Sequence, residues 1–567
     1  MAIPNVVVTV TDGALGLQAL ASPGASAKIG VSAGGVVNTV YSFNDIVTAT
    51  ATLVSGPLLE AVAHQLAIAG GPVLCVPVTA SNPGYTAFGR FFITGSGTGT
   101  IAVSALGVAV TDLFQVKIIL GGAVATATFQ FSMDGGVTFS TTITTAASVV
   151  LTGAGAGITL TFVGTYVTND VYASTFAFAG SGTGIVGRTG TPSDTFSALI
   201  KVTLGGVLGA SQFQYSLDGG DTYSQVLATT ATYAIPNSGL TLTFSASGSF
   251  TGGDVYSATA IGPSFALGDL ATASTNLISD VRPWNWLHIV GTATGVGATA
   301  VTNFSALEAG VNTTITGAIT NGRFTFALLE MPDVTDAQAF VDTTTSTRLM
   351  TALGYTELVS QVTGRISKRS QAWSVSARMA KTTVARDPGA VIDGSLPGIT
   401  ASVDQPLGLW RDENASPGGD AAGFVTLRKY AGGPNGYYVT TGRMRAAAGS
   451  DYVYVSNRRV MDLACAIARP ALTKYINSNV RVDPVTGFID PRDANNIEAD
   501  INGQLRSALI SPQPQQASDV TVVVNRAANI LSTGILPVSV RVTPLGYVRQ
   551  LTLEIGFFNP ALVAKAA

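Results

Sequence analysis

Charge is scarce in this 567-residue chain: Asp, Glu, Lys and Arg together make up 11% of it, against 46% hydrophobic residues. That apolar content excludes a disordered chain, and the length allows three or four domains, each with a core of its own. A surface left to Thr, Ser, Ala and Gly suits faces covered by further copies of the same chain. Histidine and cysteine are scarcer still, at two each. Cys75 and Cys465 are too far apart in sequence for a zinc pattern and too few for a disulfide framework, and both read as buried free thiols. His64 sits in a helical segment and His288 in an apolar one, and each reads as a hydrogen-bonded core or edge residue. No Cys/His/carboxylate cluster has metal-ligand spacing, and no Gly-x-Ser-x-Gly elbow occurs.

Long hydrophobic runs are missing too. Residues 137–169 carry no charge, but Gly153, Gly155 and Gly157 break them and threonine fills them, which excludes a membrane helix. Met1-Ala2-Ile3-Pro4-Asn5 has no basic segment and no apolar one after it, so assembly in a cytoplasm is expected. The formal net charge of −3 gives no general case for nucleic acid. Its distribution is uneven. Residues 1–280 hold 5 basic and 12 acidic side chains, a net of −7; the remainder hold 25 and 21, a net of +4. An acidic partner is therefore expected on the second half.

What is plainly present is a repeat. Gly95-Ser-Gly-Thr-Gly99 returns as Gly180-Ser-Gly-Thr-Gly184. The run from Phe129 to Ser140 returns from Phe213 to Ser224, Gly157–Phe162 as Gly239–Phe244, and Asp170-Val-Tyr172 as Asp254-Val-Tyr256. Short Thr/Val/Phe segments of alternating polarity, divided by Gly and Asp-Gly turns, predict two small antiparallel β-sandwich-like domains at 95–179 and 180–263. The Ser132–Phe139 and Ser216–Tyr223 segments resemble the Asp-box turn of sialidase propellers. Two copies make no propeller, and Arg90 and Arg188 are the only arginines of the first 280 residues, too few for a carboxylate-gripping site, so a structural turn is favoured. The Gly182–Gly187 match to a dinucleotide fingerprint has no helix after it and reads as a linker; Gly295-Val-Gly297 lacks a third glycine.

The flanks have another rhythm. Leu58, Leu59, Val62 and Leu66 follow helical spacing after Pro57, Gly70-Gly71-Pro72 stops the helix, and a buried strand follows at 73–76. Beyond 280, strands at 286–290, 324–329 and 355–359 alternate with helices at 301–309 and 336–353, the latter closed by Gly354, which predicts a largely parallel α/β core. Asp490, Pro491 and Asp493 open a helix whose stripe is Ile497, Ile501, Leu505 and Leu509. From Val548 to Phe557 the chain alternates, with Leu551, Leu553, Ile555 and Phe557 on one side. Residues 1–90 and 265–567 thus read as one framework, with 95–263 inserted at its surface.

Three stretches together resemble the contractile tail sheath family of phage tails, pyocins and related injection systems. They are Tyr41–Asp45 with Leu58–Val62 and Gly70–Val78; Gly436–Arg443 followed by Asp451–Val460; and the Asp490 helix with the strands ending at Phe557. The duplicated insertion is a departure from that family's core. The resemblance implies an α+β multidomain protein: a mixed α/β sheath core carrying two inserted tandem β-sandwich-like domains. Its parts would be an arm at 1–30, framework at 31–94, repeats at 95–179 and 180–263, core at 264–435, a C-terminal domain at 436–545 and a terminal arm at 546–567. It further implies a non-enzymatic homo-oligomer of stacked rings that needs no cofactor or metal, partnered by an inner tube, a baseplate and a tail terminator. No nucleic acid binding or membrane insertion is implied. The particle would be a virion tail or injection device, assembled in a bacterial cytoplasm, contracting to drive the tube through a target envelope. Strand-like arms at Val6, Val8 and Val10 and at Leu551, Leu553, Ile555 and Phe557 would tie subunits together. Arg458, Arg459, Arg492 and Arg506 are the expected tube-facing cations. The rival readings are a cell-surface or virion β-repeat adhesin and, behind it, a sialidase-like glycan hydrolase.

Overall fold

A computed structural model describes residues 24–557 except 83, 88–90, 95, 96, 106–113, 134, 135, 156, 157, 175, 176, 247, 293–296 and 404–411. Val6, Val8 and Val10 lie outside the described residues. Five continuously buried runs, β1 (Ser26–Val31), β3 (Val73–Val78), β4 (Trp286–Val290), β5 (Phe326–Glu330) and β6 (Leu349–Ala352), form a parallel sheet. With β2 (Tyr41–Phe43) antiparallel at one edge, the order is β2-β3-β1-β4-β5-β6. Parallel strands need cover on both faces, which is why these runs are not alternating. Helices α3 (Asp269–Ser279) and α4 (Gly297–Thr320) cover one face through Leu270, Leu277, Phe304, Leu307 and Val311. On the other face lie α2 (Pro57–Ala69), which follows the short α1 (Ile46–Leu53), and α5 (Ala372–Lys381); they bring Leu58, Leu59, Val62, Trp373, Val375 and Met379.

The helix expected over 336–353 is a correction. Only Asp336–Ala339 is helical, opened by a Thr335/Gln338 capping box. Asp342 then accepts from the Thr344 backbone N–H at 3.2 Å and the Thr344 hydroxyl at 2.8 Å, a local turn that competes with helix in a run of threonines. Leu349–Ala352, all buried, gains more as the edge strand β6. Conversely α4 runs well beyond the expected 301–309.

Between β3 and α3 the chain leaves and re-enters through reciprocal backbone bonds of Asn82 and Ser264, at 3.0 and 2.9 Å. The intervening residues build two similar antiparallel units. In the first, strands Phe91–Thr94, Gln115–Leu120, Thr128–Ser132, Ile143–Thr144 and Val171–Ser174 form one sheet, and Thr100–Ala105, Ser148–Val150 and Ile158–Val163 another. The second repeats this with Ala177–Ala179, Phe196–Leu204, Gln212–Ser216, Leu227–Ala228 and Val255–Ile261, and with Val186–Thr189, Thr232–Ala234 and Thr241–Phe244; Tyr85–Ala87 adds to Val255–Ile261. Sheet membership thus begins at Phe91 and Ala177, slightly ahead of the Gly-Ser-Gly-Thr-Gly motifs.

The repeated motifs have a common physical cause. An aromatic string, Phe129–Phe162–Tyr166–Tyr172, fills the first unit, and Phe213–Phe244–Phe250–Tyr256 the second. The closing tyrosine donates to the Gly99 carbonyl at 3.0 Å, or to that of Gly184 at 2.6 Å. A Cβ on Gly99 would lie 2.4 Å from Tyr166, and one on Gly184 2.5 Å from Phe250, so those positions require glycine. Asp170 accepts from the Gly97 N–H at 2.9 Å, and Asp254 from Ser181 at 3.0 Å, fixing each glycine loop to the Asp-Val-Tyr strand. In the second Asp-box, Asp218 accepts from Ser216 Oγ (2.6 Å) and the Thr222 backbone (2.9 Å), the bonds of a structural turn.

Candidate assembly surface

The C-terminal residues from 467 form a separate compact unit. Asp490 caps α7 (Pro491–Leu509), accepting from the Arg492 N–H at 2.8 Å, and Asp493 in the first turn pairs with Arg481 at 2.7 Å. The stripe Ile497, Ile501, Leu505 and Leu509 is buried. Val520, Val522 and Val524 of β7 (Asp519–Val524) are buried too, and this strand packs on α7. β8 (Val538–Thr543) pairs antiparallel with β7, placing Val542, Val540 and Val538 beside those valines.

This sheet stops at two strands among the described residues. The pairing of Asn525 N–H with the Pro537 carbonyl (2.9 Å) sets the alternation, so the even-numbered residues of both strands turn their backbone groups outward. On β7 the helix takes up two of them: Glu498 accepts the Val524 N–H at 2.7 Å and Arg506 reaches the Val520 carbonyl at 3.4 Å. On β8 the outward groups of Val538, Val540 and Val542 meet no described backbone partner, and their side chains are only half-buried. Beyond Thr543 the chain forms no helix or strand through 557. Leu551, Leu553 and Ile555 are 87%, 79% and 84% exposed, and Phe557 is fully exposed. The alternation expected from Val548 to Phe557 therefore belongs to a segment without a ladder among the described residues.

The four expected cations divide. Arg492 and Arg506 are exposed, the latter 2.7 Å from Asp519. Arg458 and Arg459, at the start of α6 (Val455–Thr473), are each only 3% exposed. Arg458 pairs with Asp462 at 2.7 Å, and Arg459 donates to the carbonyls of Met379 (3.1 Å) and Thr383 (3.2 Å). Both guanidiniums are thus held by groups of their own subunit.

Sequence reasoning also missed a buried relay. Lys28, His288 and Glu330 stand on adjacent strands β1, β4 and β5. The Lys28 ammonium donates to His288 Nδ1 at 3.0 Å, leaving Nε2–H to donate to Glu330 Oε1 at 3.0 Å. Ser376 Oγ accepts from Lys28 (3.1 Å) and Trp373 Nε1 donates to Glu330 (2.8 Å). Burial pulls Lys28 down to about 7 and His288 well below its ordinary value, and pushes Glu330 up to about 7. His64 is buried with Ser374 Oγ 3.3 Å away, and burial lowers it to about 4. Cys75 is buried and Cys465 half-buried, both free. Among the described residues no acidic, His or Cys cluster is arranged to hold a metal, and no helix is long and apolar enough to cross a membrane.

Comparison with known proteins also finds two parts in the chain, meeting between residues 443 and 451. The family described as DUF2586, N-terminal domain, matches residues 3–443, and DUF2586, C-terminal domain, matches 451–562. The chain belongs to the DUF2586 family. No curated protein matches it. Matching solved structures include a sheath tail protein of Listeria innocua (11% identity, 92% of this chain and 96% of that one, TM-score 0.40). A second is the sheath tail protein of Desulfitobacterium hafniense (11%, 95% and 100%, TM-score 0.39). A third is the sheath of an extracellular contractile injection system in its contracted state (14%, 54% and 76%, TM-score 0.35).

Proposed function

We propose that this chain is the sheath subunit of a contractile tail or injection particle, a mechanical polymer rather than an enzyme. The observation that carries the reading is the juxtaposition in one C-terminal unit of a strand edge without a partner and an apolar tail without a ladder. An exposed edge beside an alternating apolar segment is an aggregation hazard unless pairing with another chain is its purpose. Leu551, Leu553, Ile555 and Phe557 of one copy would add to the β8 edge of another, and Val6, Val8 and Val10 would supply a second arm. Backbone hydrogen bonds then hold neighbours together while the arms absorb rotation. The two β-sandwich-like repeats would stand on the outside, and an inner tube, baseplate and tail terminator would complete the particle, assembled in a bacterial cytoplasm. Contraction would drive the tube through a target envelope.

The test is deletion of residues 546–567, read by sedimentation, electron microscopy and circular dichroism. A folded protein that no longer forms cylinders is expected. Leu553→Pro should match the deletion by removing a ladder donor, and Leu553→Val should assemble normally. Cylinders formed by the deleted chain would overturn the reading.

A further inference from the structure

The framework holds a cavity of about 300 Å³ that the proposed function does not use. Its apolar wall is made by Ile278 near the end of α3, Val281, Trp284, Phe324, Val384 and Leu463 of α6. Val281 is 95% exposed, so this wall runs out to the surface. Asp462 lines the same cavity and is 6% exposed. Its Oδ1 accepts from Arg348 and Arg458, while its Oδ2 is buried with no hydrogen-bond partner among the described residues. A buried carboxylate oxygen without a donor is costly. The cavity therefore suits a segment that brings apolar side chains and an N–H together.

The chain itself delivers such a segment to this place. The Ala25 carbonyl accepts from the backbone N–H of Asn285 at 2.9 Å, and Asn285 lines the cavity. Gly24 is packed against α5, where a Cβ would lie 2.2 Å from the Ala380 carbonyl oxygen, and Val384 of the cavity wall follows that helix. The residues before Gly24 thus leave the framework beside the cavity. Gly13–Pro23 carry no charge and include Leu15, Leu17 and Leu20. The four positions from Leu20 to Gly24 span at most about 14 Å. A segment on so short a tether competes at high effective concentration against the same segment of any other copy.

We propose that this cavity is the docking site for residues 15–20 of the same chain, with Leu17 and Leu20 against Trp284, Phe324 and Leu463 and a backbone N–H of the segment on Asp462 Oδ2. The docking concerns one subunit and stands whether or not subunits assemble. Its consequence lies further toward the N-terminus. Val6–Val10 would start from an anchored point on the framework surface, and a shorter loose tether lowers the ordering cost of any later pairing by that run.

The experiment is disulfide trapping in the full chain carrying Cys465→Ser, Ala19→Cys and Val281→Cys, read by non-reducing electrophoresis and peptide mass spectrometry. A disulfide within one chain is expected. Adding Leu17→Asp and Leu20→Asp should slow its formation at least roughly tenfold, since burying even one leucine is worth that factor. A disulfide formed only between chains would give the cavity to a second copy and overturn the proposal. So would no disulfide, or one within the chain whose rate ignores the two aspartates, because a wandering tether would do the same. Hydrogen exchange on the wild-type chain needs no variant to fold. The amides of residues 15–20 should exchange at least about tenfold more slowly than in an unstructured peptide, and exchange at the peptide rate would overturn the docking.

Discussion

The parallel sheet and the C-terminal hairpin are built from similar residues and end in opposite conditions. In the sheet, β1, β3, β4 and β5 each have a strand on both sides, and helices cover both faces. Even its charges, Lys28 and Glu330, are enclosed and joined through His288. In the hairpin, β7 is covered by α7, β8 keeps an open edge, and the following tail leaves Leu551, Leu553 and Ile555 in solvent. Apolar residues thus serve two ends in one chain. Where each can reach a neighbour in its own subunit they stabilise the fold; where they cannot, they stay in solvent, as the proposed pairing with another chain requires.

Paired substitutions sharpen this contrast, beginning with the largest effect. Phe304→Ala, at a fully buried position between α4 and the sheet, should cost about 3–5 kcal/mol in urea denaturation. Leu551→Ala should change stability by no more than about 0.5 kcal/mol, because the side chain is 87% exposed. Equal losses from the two would dissolve the comparison.

The buried relay predicts an unusual pH dependence. Glu330 titrates near 7 in the folded chain against an ordinary 4.5, so its contribution to stability is lost as pH rises from 4.5 to 7. Lys28 titrates near 7 against 10.5, so its contribution is lost as pH falls from 10.5 to 7. Relative to a Lys28→Met/Glu330→Gln double variant, the wild-type chain should therefore be least stable near pH 7 and recover on either side. Denaturant melts of the two proteins at pH 5, 7 and 9 check this, and a difference that peaks in favour of wild type at pH 7 would contradict it.

A smaller effect is expected from Asp490→Ala, which removes the cap of α7 and should cost about 1 kcal/mol in the C-terminal unit. The smallest change in folding belongs to charge reversal at Arg492 and Arg506. Both are exposed, and the Arg506–Asp519 surface pair, screened by solvent, contributes little to folding. If these arginines face an acidic tube, the same variants should weaken tube-templated assembly at low salt, and the gap from wild type should shrink at high salt. Assembly unchanged at both salts would remove the electrostatic dock.

The sequence carried what depends on neighbours along the chain. The cap at Asp490 and the four-residue spacing from Ile497 to Leu509 marked α7. The two repeats were legible because their glycines, aspartates and tyrosines meet the same local needs twice. The tail's alternation was legible as well. The 336–353 segment failed because Leu349–Ala352 has helical residues and a strand's burial, and only β5 beside it settles which wins. Arg458 and Arg459 looked like surface charge, since nothing nearby in sequence tells of the carbonyls of Met379 and Thr383 that enclose Arg459. The relay joins residues 260 and 42 positions apart, and the Asp194–Arg369 pair spans 175.

By itself, then, the sequence determined the local elements, the duplication and the lack of metal-ligand spacing, because propensity, capping and periodicity act over a few residues. Tertiary structure alone decided which charges are buried, which carboxyl holds Arg369 and which strand edge is left open. Those outcomes depend on what each group finds across space when water is removed, and desolvation has no signature along the chain.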